Sequence, residues 1–302
     1  MRWPDMPGPG RWRAERDDIA LRFRPLTERD LADAPGWLGE IDLRADRWRD
    51  ESTRSVVAQG EDGAILAAGI VWTSHAHDDR YWADVVVDPA RRRARIGTAM
   101  FRHLSGLRAR DLPFMTRGYV DDPRLAFAFA LGARTIQVVP PARIELVRRT
   151  ALRPLPGIAP GTEVPMSAIE DANASFYQWI HASWSPVSPE FVAAVNAGLK
   201  DDLDLASTAV AVDGQGRPRA VALVYGDTDP PVVCAETVRP DEPDGERLVE
   251  GCLRAALDAL AERGLAEVEF DGHVTDPHLL PNWAKLAPSG RWFLLVEVPP
   301  AR

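Results

Sequence analysis

The chain has 302 residues, with 36 basic and 45 acidic side chains and a net charge of −9 at neutral pH. Residues 1–150 hold 25 arginines and no lysine against 22 acids and sum to +3, whereas residues 151–302 sum to −12. This balance disfavours nonspecific nucleic-acid binding, which needs clustered positive charge, and it favours the first half for an anionic ligand.

The composition is that of a water-soluble globular protein, with 45% apolar and 27% charged residues. No apolar run is long enough for a membrane span, and the charged start of the sequence lacks the apolar core of a signal peptide. Two cysteines cannot make a disulfide framework, so we expect a cytoplasmic protein without membrane association. The preference for Arg over Lys and the many Ala and Pro residues are typical of a GC-rich bacterial genome.

The first 19 residues are expected to form an irregular preamble, and residues 20–150 the first α/β unit. In chain order its predicted elements are a strand at 20–27, a short helix from Thr27, a hairpin over 54–74, a strand at 81–87, a helix over 95–111, a strand at 113–120, a short helix over 122–133 and one or two strands over 135–147.

A Pro- and Gly-containing linker is predicted at residues 151–163, followed by a second unit over residues 164–302. Its predicted elements are helices at 170–184 and 188–199, a hairpin over 207–227, a strand at 232–240, a long helix at 245–264, a strand at 266–274, a short helix at 276–287 and a last strand at 291–299.

The second unit repeats the order of the first, and short segments repeat as well. The segment from Gly118 to Leu125 matches Gly272 to Leu279 at an offset of 154. The repeat predicts two tandem α/β domains, each with a mixed, mostly antiparallel sheet flanked by helices. The alternative is a pair of unrelated α+β domains that share helix-start chemistry.

The segment VVVDPARRRARIGTAM (85–100) carries the clearest chemical signal. A strand ends at Pro89, and a helix begins at Ile96-Gly97-Thr98, where free amides and the helix dipole favour an anion. Four arginines surround this point: Arg91, Arg92, Arg93 and Arg95. The pattern predicts a pyrophosphate cradle; the alternative is a solvated charge run before an ordinary helix.

Arg92-x-x-Arg95-x-Gly97 resembles the R/Q-x-x-G-x-G/A acyl-CoA-binding motif of the GNAT N-acetyltransferase superfamily, with Arg95 at the usual position of the first glycine. Phe127, five residues before Gly132, lies in a segment similar to the second CoA-side helix of that superfamily. The resemblance covers about residues 20–150 and extends weakly through the repeat. The tandem architecture resembles mycothiol synthase-like actinobacterial acetyltransferases.

The resemblance implies acetyl-CoA, or another acyl-CoA, as co-substrate in a gap between the strands 81–87 and 113–120. The strand backbone would pair with the pantetheine arm, and the amides around 92–98 would hold the pyrophosphate. The implied binding residues are Val85, Val86, Val87, Arg92, Arg93, Ala94, Arg95, Ile96, Gly97, Thr98, Ala99, Asp121, Arg124 and Phe127.

Three residues are candidates for catalysis. Asp84 lies where the superfamily often carries a carboxylate that acts as base or amine anchor; a structural ion pair is the alternative. Tyr81 could orient substrate or serve as acid, and Tyr119 could replace the usual acidic tyrosine, whose position here is Ala128. Either tyrosine could instead be an ordinary strand aromatic.

The second unit is predicted to be a degenerate copy. Four acids, Asp241, Glu242, Asp244 and Glu246, stand where the first unit has arginines, and they would repel a pyrophosphate. Glu236 keeps a site-like carboxylate. The acidity could attract a cationic acceptor or simply keep the protein soluble.

Together these observations predict an acyl-CoA-dependent N-acetyltransferase that acts on an amine of a small molecule through a ternary complex. The alternatives are a longer acyl-CoA, a hydroxyl acceptor, or a non-catalytic acyl-CoA-binding or scaffolding protein. A monomer or homodimer is expected. No metal is expected, because His75-x-His77 lacks a third ligand nearby.

Overall fold

A computed structural model describes residues 20–301, so the predicted preamble at 1–19 lies outside the described residues. Two sheets organise the molecule. The first has seven strands: β1 (Arg22–Pro25), β2 (Arg54–Gln59), β3 (Ile65–Thr73), β4 (Tyr81–Val87), β5 (Phe114–Tyr119), β6 (Arg134–Val139) and β13 (Phe293–Val298). Their order in the sheet is β1-β2-β3-β4-β5-β13-β6.

The second sheet has six strands: β7 (Arg143–Glu145), β8 (Ile158–Pro160), β9 (Ala209–Val212), β10 (Pro218–Tyr225), β11 (Val232–Thr237) and β12 (Glu267–Asp271). Their order is β7-β12-β11-β10-β9-β8. Each sheet is antiparallel except for one parallel pair, β4 with β5 and β11 with β12. The predicted fold class, two mixed and mostly antiparallel sheets, is confirmed.

Eight α-helices flank these sheets within the described residues. They are α1 (Glu28–Ala32), α2 (Ile96–Ser105), α3 (Pro123–Ala130), α4 (Met166–His181), α5 (Phe191–Asn196), α6 (Leu199–Asp202), α7 (Gly245–Glu262) and α8 (Leu279–Lys285). Helices α2 and α7 follow β4 and β11 respectively, so the helix that begins at each cleft has the same place in both repeats.

The two halves exchange strands. The last strand, β13, lies between β5 and β6 of the first sheet, and β7 pairs with β12 of the second. The sequence analysis placed the last strand in the second unit, which the pairing corrects. The apolar run Phe293–Val296 of β13 would suit an internal position in either sheet, so the local pattern does not select the partner strands. The boundary predicted at residues 151–163 stays a prediction.

Helix α2 packs its apolar face on the first sheet. Ile96, Met100 and Leu104 recur at helical spacing, and all three are buried. Gly69 of β3 lies beneath them, where an added Cβ would come within 2.6 Å of Leu104 Cδ1. This close approach fixes α2, and with it the loop before it, against the centre of the sheet.

Helix α5, from the second half of the chain, is attached to the first half. The backbone N–H of Ser188 donates to the carbonyl of Ala76 at 2.8 Å, and its hydroxyl donates to the carbonyl of His75 at 2.5 Å. His77 adds contacts at 3.2 Å to the carbonyl of Pro186 and at 2.7 Å to the hydroxyl of Tyr177. These bonds hold α5 over the open face of the first sheet.

Candidate active site

A cleft opens between β4 and β5. The two strands pair only at Tyr81 with Phe114 and at Trp82 with Met115. Beyond these positions β4 continues to Val87 without a ladder partner on the β5 side, while its other edge stays paired with β3. The backbone groups of Val85 and Val87 that face β5 can therefore accept one more extended chain, although the Val87 carbonyl also accepts from Arg92 Nε at 3.3 Å, while those of Val86 face β3. The binding of a pantetheine arm at Val85, Val86 and Val87 stays a prediction.

The first turn of α2 lies at the mouth of this cleft. Its N-cap is Arg95, which has a φ of 62° and forms no side-chain cap bond. The N–H groups of Ile96, Gly97 and Thr98 thus lack intrahelical acceptors and are available to an anion. Arg93 also has a positive φ, of 68°. The loop therefore keeps the left-handed backbone shape that glycine favours, although Arg95 replaces the glycine usual in the resembled motif.

Gly97 keeps the mouth of the cleft narrow but open. A Cβ added there would lie 3.3 Å from Phe127 Cζ and 3.4 Å from Val87 Cγ2. Three elements, β4, α2 and α3, thus converge on this glycine. The predicted binding residues Val87, Gly97 and Phe127 are brought together.

The arginines near the loop differ in their partners. Arg92 is held by Glu40, with N–O distances of 2.8 and 3.0 Å. Arg124 is paired with Asp122 at 2.7 Å. The guanidinium of Arg95 is exposed and forms no hydrogen bond or ion pair with any of residues 20–301, so its charge is available to a ligand of the loop.

Asp84 lies just past the last paired residues of the two strands. The hydroxyl of Thr116 donates to its Oδ1 at 3.0 Å. Burial raises the pKa of Asp84, and the Thr116 hydrogen bond and the charges of Arg124 and Arg117 oppose this rise. A carboxyl with a raised pKa is suited to accept a proton near neutral pH.

A cavity of about 950 Å³ opens beside Asp84, on the face of the first sheet opposite α2. Both halves of the chain line it. The lining residues are Asp42, Arg44, Trp48, Arg49, Ile70, Trp72, Ser74, His75, Ala76, Trp82, Asp84, Arg117, Glu190, Ala193, Ala194 and Ala197. The last four belong to α5 and its flanks, so the second half of the chain completes this cavity.

The structure does not bring Tyr81 to Asp84. Tyr81 is buried in the core under α2, and its hydroxyl accepts from the backbone N–H groups of Ala109 at 3.1 Å and Arg110 at 3.2 Å. Residues three apart on a strand point to opposite faces, which excludes a shared site for Tyr81 and Asp84. The alternation of side-chain directions along a strand was enough to predict from the sequence that Tyr81 and Asp84 lie on opposite faces.

Tyr119 and Asp121 lie at and just beyond the far end of β5, where Arg291 from the C-terminal segment contacts both side chains. The guanidinium of Arg291 stacks on the ring of Tyr119 at 3.8 Å and contacts the carboxylate of Asp121 at 3.0 Å. Phe293 packs edge-on against Tyr119. Both side chains are thus engaged by a segment that the sequence analysis placed in the other unit.

Sequence reasoning missed Thr116, Arg117 and the contribution of residues 190–197. Thr116 and Arg117 belong to the predicted strand at 113–120, which lies opposite the strand of Asp84. Their place on that strand could therefore have predicted that they lie near Asp84. The segment 190–197 is ordinary helix in sequence and shows nothing of the cavity that it covers.

The second cleft is filled by the protein itself. Its strands β11 and β12 pair at three positions, and the buried Glu236 follows them. His278 Nδ1 lies 2.7 Å from Glu236 Oε1, and the backbone N–H groups of His278 and Leu279 donate to Oε2 at 3.3 Å. At Gly245, where α7 begins, an added Cβ would be 2.6 Å from His278 Nε2. The imidazole thus occupies the place that the first cleft leaves open.

The loop before α7 still has the shape of the loop before α2. Its N-cap residue, Asp244, has a φ of 59°, like Arg95. Its buried acid, Glu242, is bound by Arg219 at 2.6 Å and Arg239 at 3.0 Å. The repeat has kept its backbone geometry while ion pairs and an imidazole have replaced the open anion site.

The described part of the chain shows no group of three or more His, Cys, Asp or Glu residues arranged to hold a metal ion. Between residues 20 and 301, no helix is both long and apolar enough to cross a membrane.

The fold is that of the GCN5-related N-acetyltransferases. An acetyltransferase of this group from Sphaerobacter thermophilus shares it with a TM-score of 0.59 at 15% identity, over 93% of this chain and 97% of its own. A tandem GNAT protein from the clavulanic acid biosynthesis pathway, solved without AcCoA, gives a TM-score of 0.56 at 20% identity, over 94% and 100%.

A putative acetyltransferase from Pyrococcus horikoshii is also similar, with a TM-score of 0.51 at 15% identity over 95% of this chain and 93% of its own. No family model matches the sequence, and a search of curated proteins gives no significant match. At these identities the likeness establishes the fold, including the tandem arrangement. The mycothiol synthase-like subtype stays a prediction.

Proposed function

We propose that the protein is an acyl-CoA-dependent N-acetyltransferase that uses the first cleft for acetyl-CoA and the adjoining cavity for a small-molecule amine. One observation carries the proposal: an open cleft with uncapped helix amides at its mouth leads to the half-buried carboxylate of Asp84 at the wall of a cavity. The second cleft keeps an uncapped helix start and a buried carboxylate, but it is closed, because His278 contacts Glu236 and lies against Gly245.

The residues present fit a CoA thioester. The unpaired edge of β4 offers main-chain groups to the pantetheine amides, and the first turn of α2 offers N–H donors to the pyrophosphate. The exposed guanidinium of Arg95 adds positive charge there. When bound, the thioester would supply an activated acetyl group at the apex of the cleft.

Asp84 would act on the acceptor. Its carboxylate takes the proton from the amine, directly or through water, so that the nitrogen lone pair forms the new N–C bond as the C–S bond breaks and the thiolate departs. Thr116 keeps the carboxylate oriented. Binding both reactants in one ternary complex supplies the proximity that the transfer needs.

The second candidate is a non-catalytic acyl-CoA-binding protein. Two observations favour it: Ala128 occupies the position of the usual acidic tyrosine, and Tyr119 is engaged by Arg291. An acyltransferase that takes a longer acyl-CoA or a hydroxyl acceptor would use the same cleft for its CoA thioester and the same base, Asp84.

Thiol release from acetyl-CoA against a panel of amines separates the two candidates. The enzyme should release CoA only with an acceptor, and Asp84→Asn should lower kcat by about 100-fold or more without weakening acetyl-CoA binding. Asp111→Asn is the control, because this carboxylate is 93% exposed in the loop after α2. Tight acetyl-CoA binding without turnover, unaffected by Asp84→Asn, would favour the non-catalytic protein.

A further inference from the structure

The cavity beside Asp84 has aromatic walls. Trp48, Trp72 and Trp82 line it, and the rings of Trp72 and Trp82 stack with centroids 6.0 Å apart. Three indoles provide broad apolar surfaces that pack well against a flat or apolar acceptor body. The cavity must therefore distinguish acceptors by their polar groups through the few charged side chains that lie among the indoles.

Two of the three arginines that line the cavity already have partners. Arg44 contacts Asp42 at 3.1 Å. Arg49 contacts Asp50 at 3.0 Å and donates to the carbonyl of Thr73 at 2.7 Å. These guanidinium groups are bound by the protein and contribute little free positive charge to a ligand.

Arg117 differs from them. Its guanidinium lies over the ring of Trp82, 5.1 Å from the centroid, and makes no hydrogen bond or ion pair with any residue between 20 and 301. Stacking leaves the N–H donors at the edge of the guanidinium plane free for a planar anion. The third arginine of the cavity is thus positioned but unsatisfied.

Arg117 is also next to the reaction centre. It follows Thr116, whose hydroxyl holds Asp84 Oδ1, and both Arg117 and Asp84 line the cavity. Asp84 on β4 and Arg117 on β5 therefore face the same cavity, the first as a base for an amine and the second as a hydrogen-bond donor for an anion.

We propose that the acceptor carries an anionic group, a carboxylate or a phosphate, besides its amine, and that Arg117 binds this group while Asp84 receives the amine. The inference rests on the proposed function and names the substrate class of that same cavity. Guanidinium groups bind carboxylates and phosphates through two parallel hydrogen bonds, which gives both affinity and orientation.

This acceptor differs from the cationic one that the net charge of the second half favours. The second half contributes residues 190–197 to the cavity wall, and these include a single acid, the exposed Glu190. A second positive charge on the acceptor would meet Arg117, whereas a zwitterion satisfies both Asp84 and Arg117.

Matched pairs of amines test the inference. Initial rates of thiol release would be compared for phenylalanine and phenethylamine, and for O-phosphoethanolamine and ethanolamine, which distinguishes the two anion types. The anionic member of at least one pair should show a KM at least about 10-fold lower. Arg117→Gln should raise that KM by about 10- to 100-fold. The KM of the matching amine without the anionic group should change by less than about 3-fold. Arg217→Gln is the matched control, since its exposed guanidinium pairs with Asp213 in the turn before β10 and does not line the cavity.

Equal kcat/KM values within both pairs, or an equal loss for both members in Arg117→Gln, would overturn the inference and leave the acetyltransferase intact. Calorimetry with CoA-loaded protein covers the case of no turnover, with N-acetylphenylalanine and N-acetylphenethylamine as probes. Tighter binding of the acid, lost in Arg117→Gln, supports the inference. Equal or absent binding of both probes overturns it, while failure of the proposed function shows separately as the lack of turnover with every amine.

Discussion

The hydroxyl of Thr116 donates to Oδ1 of Asp84 at 3.0 Å, and this bond spans the point where β5 and β4 cease to pair. It ties this half-buried carboxylate to the opposite strand. Because the hydroxyl stabilises the charged form, it limits the rise in the pKa of Asp84 that burial causes.

Thr116→Val should therefore move the pH dependence of the reaction. Without the donor, the pKa of Asp84 rises further, so the active carboxylate forms only at higher pH. The acid limb of kcat/KM against pH should shift upward by about 1 pH unit. Thr135→Val, at an exposed position of β6, should leave the limb in place. A limb that is unchanged or moves to lower pH in Thr116→Val would contradict the role of this hydroxyl.

Arg95→Gly separates the backbone role of this position from its charge. Glycine tolerates the left-handed conformation that costs other residues about 1 kcal/mol, so the free energy of unfolding should stay equal or increase by up to about 1 kcal/mol. Acetyl-CoA affinity should fall, and more at low salt than at high salt, because a screened charge is lost.

Arg47→Gly is the matched control for Arg95→Gly, since Arg47 has a φ of 60° away from the cleft. Urea unfolding and calorimetry at two salt concentrations provide the readouts. Unchanged affinity in Arg95→Gly would show that the loop amides alone hold the anion.

Glu236→Ala should destabilise the protein by about 3 kcal/mol, because it breaks a buried pair with His278 and removes the acceptor of three backbone N–H groups. Acetyl-CoA binding to the first cleft should persist. Glu246→Ala, which removes the half-exposed partner of Lys285, should cost less than about 1 kcal/mol. Urea unfolding measures both changes. An equal effect of the two variants would contradict the structural role of the filled cleft.

A buried aromatic cluster, His77, Tyr177, His181 and Trp184, joins the two halves and should make stability pH-dependent. Burial, together with the nearby imidazoles, lowers the pKa of His181 to about 2, and burial also lowers the pKa of His77. The folded protein keeps His181 neutral, whereas the unfolded chain binds a proton below about pH 6.5. The free energy of unfolding should therefore fall as pH drops below that value, by up to about 1.4 kcal/mol per pH unit for each such histidine.

Melting temperatures between pH 7.5 and 5 measure this dependence. His181→Phe keeps the ring stacking and should reduce the slope, while the exposed His75→Gln should not. A steeper loss of stability in His181→Phe would contradict the assignment.

Local patterns predicted most of the fold. The helix with Ile96, Met100 and Leu104 on one face is present, and the strands around Asp84 lie where alternation put them. The place of β13 could not be predicted, because strand pairing is decided by distant residues. The lining role of 190–197 likewise depends on the contacts of Ser188 with the first half.

The site was predictable in part. The loop before α2 and its glycine follow from a motif that has a local backbone requirement. Tyr81 was misplaced relative to Asp84 because the interpretation followed proximity in sequence and not the two faces of a strand. Arg117 could have been inferred from the parallel pairing of its strand with that of Asp84.

Calorimetric titration with acetyl-CoA tests the central claim most directly, namely that one cleft is open and the other is filled. The account predicts one acetyl-CoA per chain and a loss of binding of at least 100-fold in Gly97→Glu, which places a bulky carboxylate against Phe127 and the incoming pyrophosphate. Gly106→Glu, at the opposite end of the same helix, should bind normally. Two molecules per chain, or unimpaired binding by a folded Gly97→Glu, would contradict it.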